Sequence, residues 1–404
     1  MTDPEALLPG PQEEITADQP VSRPPGHDEA PSEGLALCLS GGGYRAMLFH
    51  VGVLWRLNEA GMLRELDRIS SVSGGSITAG VLGLNWENLD FDDAGVARNF
   101  QSQLVDPIRK MAGVGIDVTS VLTGLGLPFT SISDRIVKAY KQHLFGKATL
   151  QNLPDDDPKP VGPEKPPPRF VINATNLESG VLMRFSRPYL ADYRVGKVHF
   201  PDLPLAVAVA ASSAFPPVLS PCTVDLEHED WVTEEGNDLT GAGFRGQIRL
   251  CDGGVYDNLG LQTAWNQFRT ILVADAGGHM GADSSPPTDW PRHMVRVLSV
   301  IDSQVRSLRK RQVIEAFKSD RRTGAYLGIR SHVADYHLDG AMPADPEITD
   351  KLAAIATRLD DLPAERQESL INWGYVITDT GIRKHVREGL PAGDLPYPAR
   401  PLVS

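Results

Sequence analysis

Cysteine is scarce: three in 404 residues, Cys38, Cys222 and Cys251. An odd count with no metal-ligand spacing excludes a disulfide framework and reads as buried, reduced thiols of a cytosolic protein. No His, Asp or Glu cluster has ligand spacing either, so neither metal nor cofactor is expected. Apolar runs of eighteen or more residues are also missing, and no segment is expected to span a bilayer. Basic charge is in short supply, with 39 Lys and Arg against 52 Asp and Glu, a net charge of −13. That balance argues against nucleic acid and against electrostatic capture by anionic membranes. Residues 1–34 hold eight acids against the single Arg23, with proline interspersed and neither a basic start nor an apolar core. They are expected to form a disordered acidic tail rather than a signal peptide.

Beyond that tail, short apolar runs alternate with amphipathic stretches, which predicts an α/β fold with a mostly parallel central sheet covered on both faces. Phe170–Asn176 reads as a strand, Glu178–Gly180 as a turn and Val181–Phe185 as the returning strand. Pro204 fits the first turn of a helix running to about Ser213, stopped by Pro216 and Pro217. Thr270–Gly278 is a further strand entering a glycine turn. Pro154–Pro168 and Asp225–Gly243 look like insertions. We divide the chain into the tail 1–34, a main domain 35–290 and a C-terminal helical extension 291–404 packed on it.

Three segments carry chemistry. Leu35–Ser40 is an apolar strand entering Gly41-Gly42-Gly43-Tyr44-Arg45-Ala46 and then a helix. Successive glycines leave backbone N–H groups uncovered and convergent, so such a turn binds an anion, either a phosphate or the oxyanion of acyl transfer. No Gly-Lys-Ser/Thr follows, which excludes a Walker A loop, and the dinucleotide spacing fails too. Ser71-Val72-Ser73-Gly74-Gly75 reads as a serine on a sharp strand-to-helix turn, the requirement for an exposed nucleophile. Asp252-Gly253-Gly254 ends a third apolar run. A turn aspartate of this kind is usually structural, but beside a nucleophilic serine it can accept the hydroxyl proton.

Together and in this order, the segments resemble the patatin-like phospholipase family. Its signature is a G-G-G-x-[KR]-G loop, a G-x-S-x-G elbow and a D-G-[GA] aspartate, working as a Ser–Asp dyad without histidine. Ala210–Pro217 is similar to the family's A-S-S-A-x-P segment, and the resemblance spans roughly residues 35–280. It implies a patatin-like three-layer α/β/α sandwich with Ser73 and Asp252 catalytic. Gly41, Gly42, Gly43 and Gly74 would form the oxyanion hole, and Arg45, Gly253 and Gly254 would support the loops or meet a headgroup. The implied activity is carboxylic ester hydrolysis of the phospholipase A or lysophospholipase type. The substrate would be a phospholipid or other lipid ester, met by a cytoplasmic enzyme in transient contact with a membrane surface. No nucleic acid is implied, and the need for a protein activator stays open. Two small substitutions depart from the signature: Ala46 for the last glycine of the loop and Ser71 for the first of the elbow.

Other readings stand beside this one. A Ser–His–Asp hydrolase could draw on Ser73, on Asp252 or Asp275, and on His279 or His293. A silent lipid-binding module would keep the fold and lose the rate. Met111–Phe129, apolar and broken by glycines, is either a flap over the site or a buried segment. The basic run Arg306–Gln312 lies on a long amphipathic helix with Val297, Leu298, Ile301 and Leu308. It is expected to be a solvated face, with lipid-headgroup contact as the functional alternative.

Overall fold

The computed structural model describes residues 31–116, 130–156, 165–217 and 219–403. Two strand–helix units come first: β1 (Ser32–Leu39) into α1 (Gly43–Glu59), and β2 (Arg68–Val72) into α2 (Gly74–Leu84). β1 and β2 pair in parallel with Leu39 opposite Ser71, so their two turns emerge side by side at one edge of the sheet. β3 (Arg169–Asn176) lies parallel to β2, and β4 (Leu182–Phe185), β5 (Tyr189–Asp192) and β6 (Gly196–His199) continue from it as an antiparallel meander. Then come α3 (Leu205–Ser212), β7 (Cys222–Asp225), β8 (Trp231–Val232), β9 (Gln247–Asp252) and β10 (Phe268–Asp275). The long helix α4 (Trp290–Lys318), β11 (Thr323–Gly328) and α5 (Ala364–His385) follow.

The strand order is β11-β10-β1-β2-β3-β4-β5-β6-β8, with β9 on β3 and β7 on β9. The five strands from β11 to β3 are parallel, and antiparallel strands extend the sheet beyond them. Side chains alternate across the parallel strands. Leu35, Leu37, Leu39, Leu272 and Leu327 enter one core, whereas Ala36, Cys38, Ile271, Val273 and Tyr326 enter the other. Burial on both faces is why these strands read as unbroken apolar runs, and it makes the three layers of an α/β/α sandwich.

The expected boundaries shift. Ser32–Gly34, assigned to the tail, begin β1, with Ser32 opposite Phe268 and a register shift before Leu35. The C-terminal segment is more than a helical extension. Its β11 adds a parallel strand at the edge of the sheet, and α5 packs along α1. That packing buries nearly every residue of α1, including Arg45, His50 and Arg56. Gly52 and Gly374 let the two helices touch, since a Cβ on either would overlap the other's backbone. Arg56 Nε donates to Asp379 Oδ1 at 2.8 Å, with Arg383 at 3.0 Å from the other carboxylate oxygen. Asp379→Asn is expected to cost about 3 kcal/mol or more, because it leaves buried Arg56 without its counter-charge. Urea unfolding at neutral pH measures it. A loss under about 1 kcal/mol would mean that the pair relaxes into water.

Among the described residues no helix is long and apolar enough to cross a membrane. Of the apolar stretch Met111–Phe129, Met111, Ala112 and Ile116 are buried, and residues 117–129 lie outside the described residues.

Candidate active site

The site is built on β3, which carries two strands on one of its edges. β2 runs parallel along the first half of β3, with Val72 opposite Asn173. β9 arrives antiparallel along the second half, with Asp252 opposite Ala174. β4 occupies the other edge over the same residues, so β2 and β9 must meet end to end. Ser73, the next residue after β2, and Asp252, the last of β9, are therefore delivered to one point from opposite directions.

Ser73 stands at φ 52°, ψ −120°, a conformation that L-residues rarely adopt. Strain of this kind persists only where neighbours hold it. Here the Ser73 N–H donates to Ser212 Oγ at 2.9 Å, and Ser212 Oγ–H donates to the Asn173 carbonyl at 2.6 Å. Ser76 Oγ lies 2.9 Å from the same hydroxyl. The Ala210–Pro217 segment thus supplies the clamp on the elbow, a role the sequence reading did not assign to Ser212. Ser212→Ala would leave the Ser73 N–H and the Asn173 carbonyl unpaired. It is expected to cost about 1–3 kcal/mol of stability and roughly tenfold in turnover. Thermal unfolding and kcat on a soluble ester check it, and unchanged kcat would show that Ser73 needs no clamp.

Asp252 is buried, and its Oδ1 accepts the Gly254 N–H at 2.7 Å. The Ser73 hydroxyl faces the same carboxylate and pulls its pKa down. Burial pushes the Asp252 carboxyl up to about 7, outweighing the downward pull of the Gly254 N–H and the Ser73 hydroxyl. Gly253 and Gly254 are required for space. A Cβ on Gly253 would overlap the Asn173 carbonyl, and one on Gly254 would lie 2.5 Å from Asn258 Oδ1 and 2.9 Å from Asp252 Oδ1.

The glycine loop lies against this pair. A Cβ on Gly41 would sit 3.2 Å from Ser73 Cβ, and one on Gly74 would overlap the Gly43 carbonyl. Gly42 (φ 144°) and Gly43 (φ 59°) hold backbone conformations costly for any side chain. The Gly41 N–H donates to the Asn258 carbonyl at 3.1 Å, and that of Tyr44 to the Arg358 carbonyl at 3.0 Å. The N–H groups of Gly42, Gly43 and Gly74 make no hydrogen bond among the described residues. Gly41, expected among the oxyanion donors, is instead committed to Asn258 and serves as a strut. Asn258 is the second residue the sequence reading passed over, its side chain lying between Gly41, Gly254 and Gly277. The run Asp252–Asn258 was the available signal.

Arg45 is buried and donates to the carbonyls of Ala353, Ile355 and Ala276 at 2.7–2.8 Å. Its guanidinium ties the first turn of α1 to the C-terminal segment. Among the described residues no histidine hydrogen-bonds Ser73 or Asp252. His279 and His293 are exposed. His50 Nε2 lies 2.9 Å from the Ser40 carbonyl, and burial lowers its pKa to about 4. Asp275 binds Tyr326 Oη at 2.6 Å and the Gly277 N–H at 2.9 Å, with Arg306 at 3.4 Å.

A family model, the patatin-like phospholipase, matches residues 37–265, more than half of the chain. The chain belongs to the patatin-like phospholipase family. This patatin-like chain is also similar to human GIVD cytosolic phospholipase A2 solved with methyl gamma-linolenyl fluorophosphonate. The two share 14% identity over 86% of this chain and 57% of that one, with a TM-score of 0.49. VipD from Legionella pneumophila is similar at 16% identity, over 88% of this chain and 66% of its own, with a TM-score of 0.33. The patatin-like chain therefore spans roughly half to two thirds of the length of the solved structures it matches. No curated protein matches it.

Proposed function

We propose that this patatin-like chain hydrolyses acyl esters of lipids through a Ser73–Asp252 dyad. The observation that carries the reading is Ser73, on a strained backbone where β2 and β9 meet on β3, beside the buried Asp252 carboxyl that burial pushes up to about 7. Ser73 Oγ attacks the ester carbonyl as its proton passes to Asp252. The negative charge that develops on the carbonyl oxygen is met by the N–H groups of Gly42, Gly43 and Gly74, the last at the positive end of α2. Asp252 then protonates the departing alcohol, leaving an acyl-serine. A water molecule that gives its proton to Asp252 attacks this ester, and the fatty acid leaves with Ser73 restored.

A base with a pKa of about 7 is half ionised at neutral pH, the poise that favours proton transfer in both directions. Only the carboxylate accepts the proton. Activity should therefore rise with pH through about 7 and level off above it. A kcat/KM profile on a short soluble ester reads this directly. A plateau already complete at pH 5 would remove Asp252 as the titrating base. Labelling by a fluorophosphonate ester tests the nucleophile, with the label expected on the parent chain and absent from Ser73→Ala. Labelling that survives in Ser73→Ala would overturn the proposal.

A further inference from the structure

A cavity of about 150 Å³ opens at the same edge of the sheet, where β10 and β11 end against α4. It is too small for an acyl chain or a drug-sized ligand, whose pockets start at roughly 300 Å³. Three cations line it, Arg306 and Lys310 from α4 and Arg330 from the loop after β11, against the single carboxylate of Asp275. Asp302 and Asp350 act on Arg306 and Arg330 from outside the lining. Ser303 and Ser307 also line it, the Ser307 hydroxyl donating to the Ser303 carbonyl at 2.8 Å. Arg306 was expected on a solvated face, yet its side chain is largely buried, and its Nε has no partner among the described residues. Burial first, then repulsion from Arg330 and Arg306, lowers the Arg45 guanidinium behind the cavity to about 10. A chain of net charge −13 thus concentrates positive charge in one small polar hollow.

We infer that this cavity binds the phosphate group of a lipid, at a site separate from Ser73. Cations arriving from a helix and from a loop can each meet a different oxygen of a tetrahedral anion, and Arg and Lys are the residues suited to it. The helix that supplies two of them points to a lipid as the source. Among the described residues, eight of fifteen exposed large hydrophobic side chains lie on α4, including Trp290, Leu298, Ile301 and Leu308. At about 100° per residue Arg306 and Lys310 share one side of α4, while Trp290, Ile301 and Leu308 stand on the opposite side. A helix with an exposed apolar face opposite a basic one suits the plane of a membrane interface.

The cavity also adjoins the reactive centre. A Cβ on Gly277 would lie 2.7 Å from Asn258 Nδ2, the side chain that also touches Gly41 and Gly254. A phosphate held there would keep the surface lipid beside the mouth of the site.

The test uses the full chain carrying Ser73→Ala, so that it reads binding without hydrolysis and stands or falls apart from the dyad. Two probes separate the sources: phosphatidylcholine vesicles with and without phosphatidic acid, read by sedimentation, and inorganic phosphate, read by thermal shift. Phosphatidic acid is expected to strengthen vesicle binding. Lys310→Ala with Arg330→Gln should weaken it on the order of thirtyfold, the effect of two basic groups at an anionic surface. Phosphate should raise the unfolding midpoint of the parent chain and not of the double variant. Lys310→Glu, at an exposed position, is the second variant if the double one fails to fold. If the parent binds neither probe, or these variants bind both as the parent does, the site is overturned. If phosphate stabilises the parent but phosphatidic acid adds nothing, the site stands and the lipid source falls. If Leu298→Ser with Ile301→Ser abolishes vesicle binding while Lys310→Glu leaves it intact, the apolar helix is the contact and the cavity is not.

Discussion

Ser73→Ala and Asp252→Asn are each expected to lower ester turnover by about four to six orders of magnitude. Both should leave the fold intact. In the proposed dyad Ser73 donates its hydroxyl proton and Asp252 accepts it, so neither would act without the other, and the double variant should be no slower than the slower single one. Asp252→Asn carries a second signature, in stability. The folded-state pKa of Asp252 is raised from an ordinary 3.8 to about 7 by burial. The folded chain therefore holds this proton more tightly than the unfolded chain does. That contribution is fully present below pH 3.8 and is lost as pH rises towards 7. Asparagine keeps an oxygen for the Gly254 N–H and carries no charge. Asp252→Asn should thus be no more stable than the parent in acid and more stable above pH 7, while almost inactive. The stability gain of Asp252→Asn over the parent should be larger at pH 8 than at pH 5, and thermal unfolding at the two values beside kcat on one preparation reads both effects. Near-parent turnover in Asp252→Asn, with loss in His279→Ala or His293→Ala, would replace the dyad by a triad.

Gly42→Ala and Gly43→Ala should each lower kcat on the order of a hundredfold or more, with much less effect on KM. A removed or misaimed donor costs most where charge develops, which is in the transition state. The expected damage follows from space and from conformation. A Cβ on Gly42 would lie 2.6 Å from the Ala276 carbonyl, and one on Gly43 would lie 2.5 Å from that of Arg358. Both glycines also hold positive φ. The loop must shift, and its N–H groups with it. Gly41→Ala provides the contrast, since its N–H is engaged with Asn258: its effect should appear in stability as well as in rate. A rise in KM with kcat unchanged for Gly42→Ala would mean that the loop binds a ground-state anion instead.

Much of the site was legible because its parts are local. Three glycines after an apolar strand, a serine between small residues and an aspartate before two glycines each state a backbone geometry within a few positions. The parallel strands were legible for the same reason, since burial on both faces writes an unbroken apolar run. Ser212 and Asn258 escaped because a serine at a helix end and an asparagine in a turn have ordinary local duties. Their use lies in contacts with Ser73 and Gly41, made across the fold. α4 misled in the other direction. Its basic run was expected on a solvated face, yet Arg306 turns inward while Leu298 and Ile301 are exposed. Helical spacing tells which residues share a face and not what that face meets.

The order and chemistry of the residues settled the class of fold and supplied the proposed nucleophile, proton acceptor and anion-binding turn, each being a matter of neighbouring backbone. Their meeting was settled elsewhere. Ser73 and Asp252 come together because β2 and β9 share one edge of β3, a register fixed by long-range pairing. Burial of the Asp252 carboxyl, the commitment of the Gly41 N–H and the closure of α1 beneath α5 follow from that assembly. Desolvation and hydrogen-bond competition depend on every atom packed around a group, and those atoms come from strands and helices far apart in the chain.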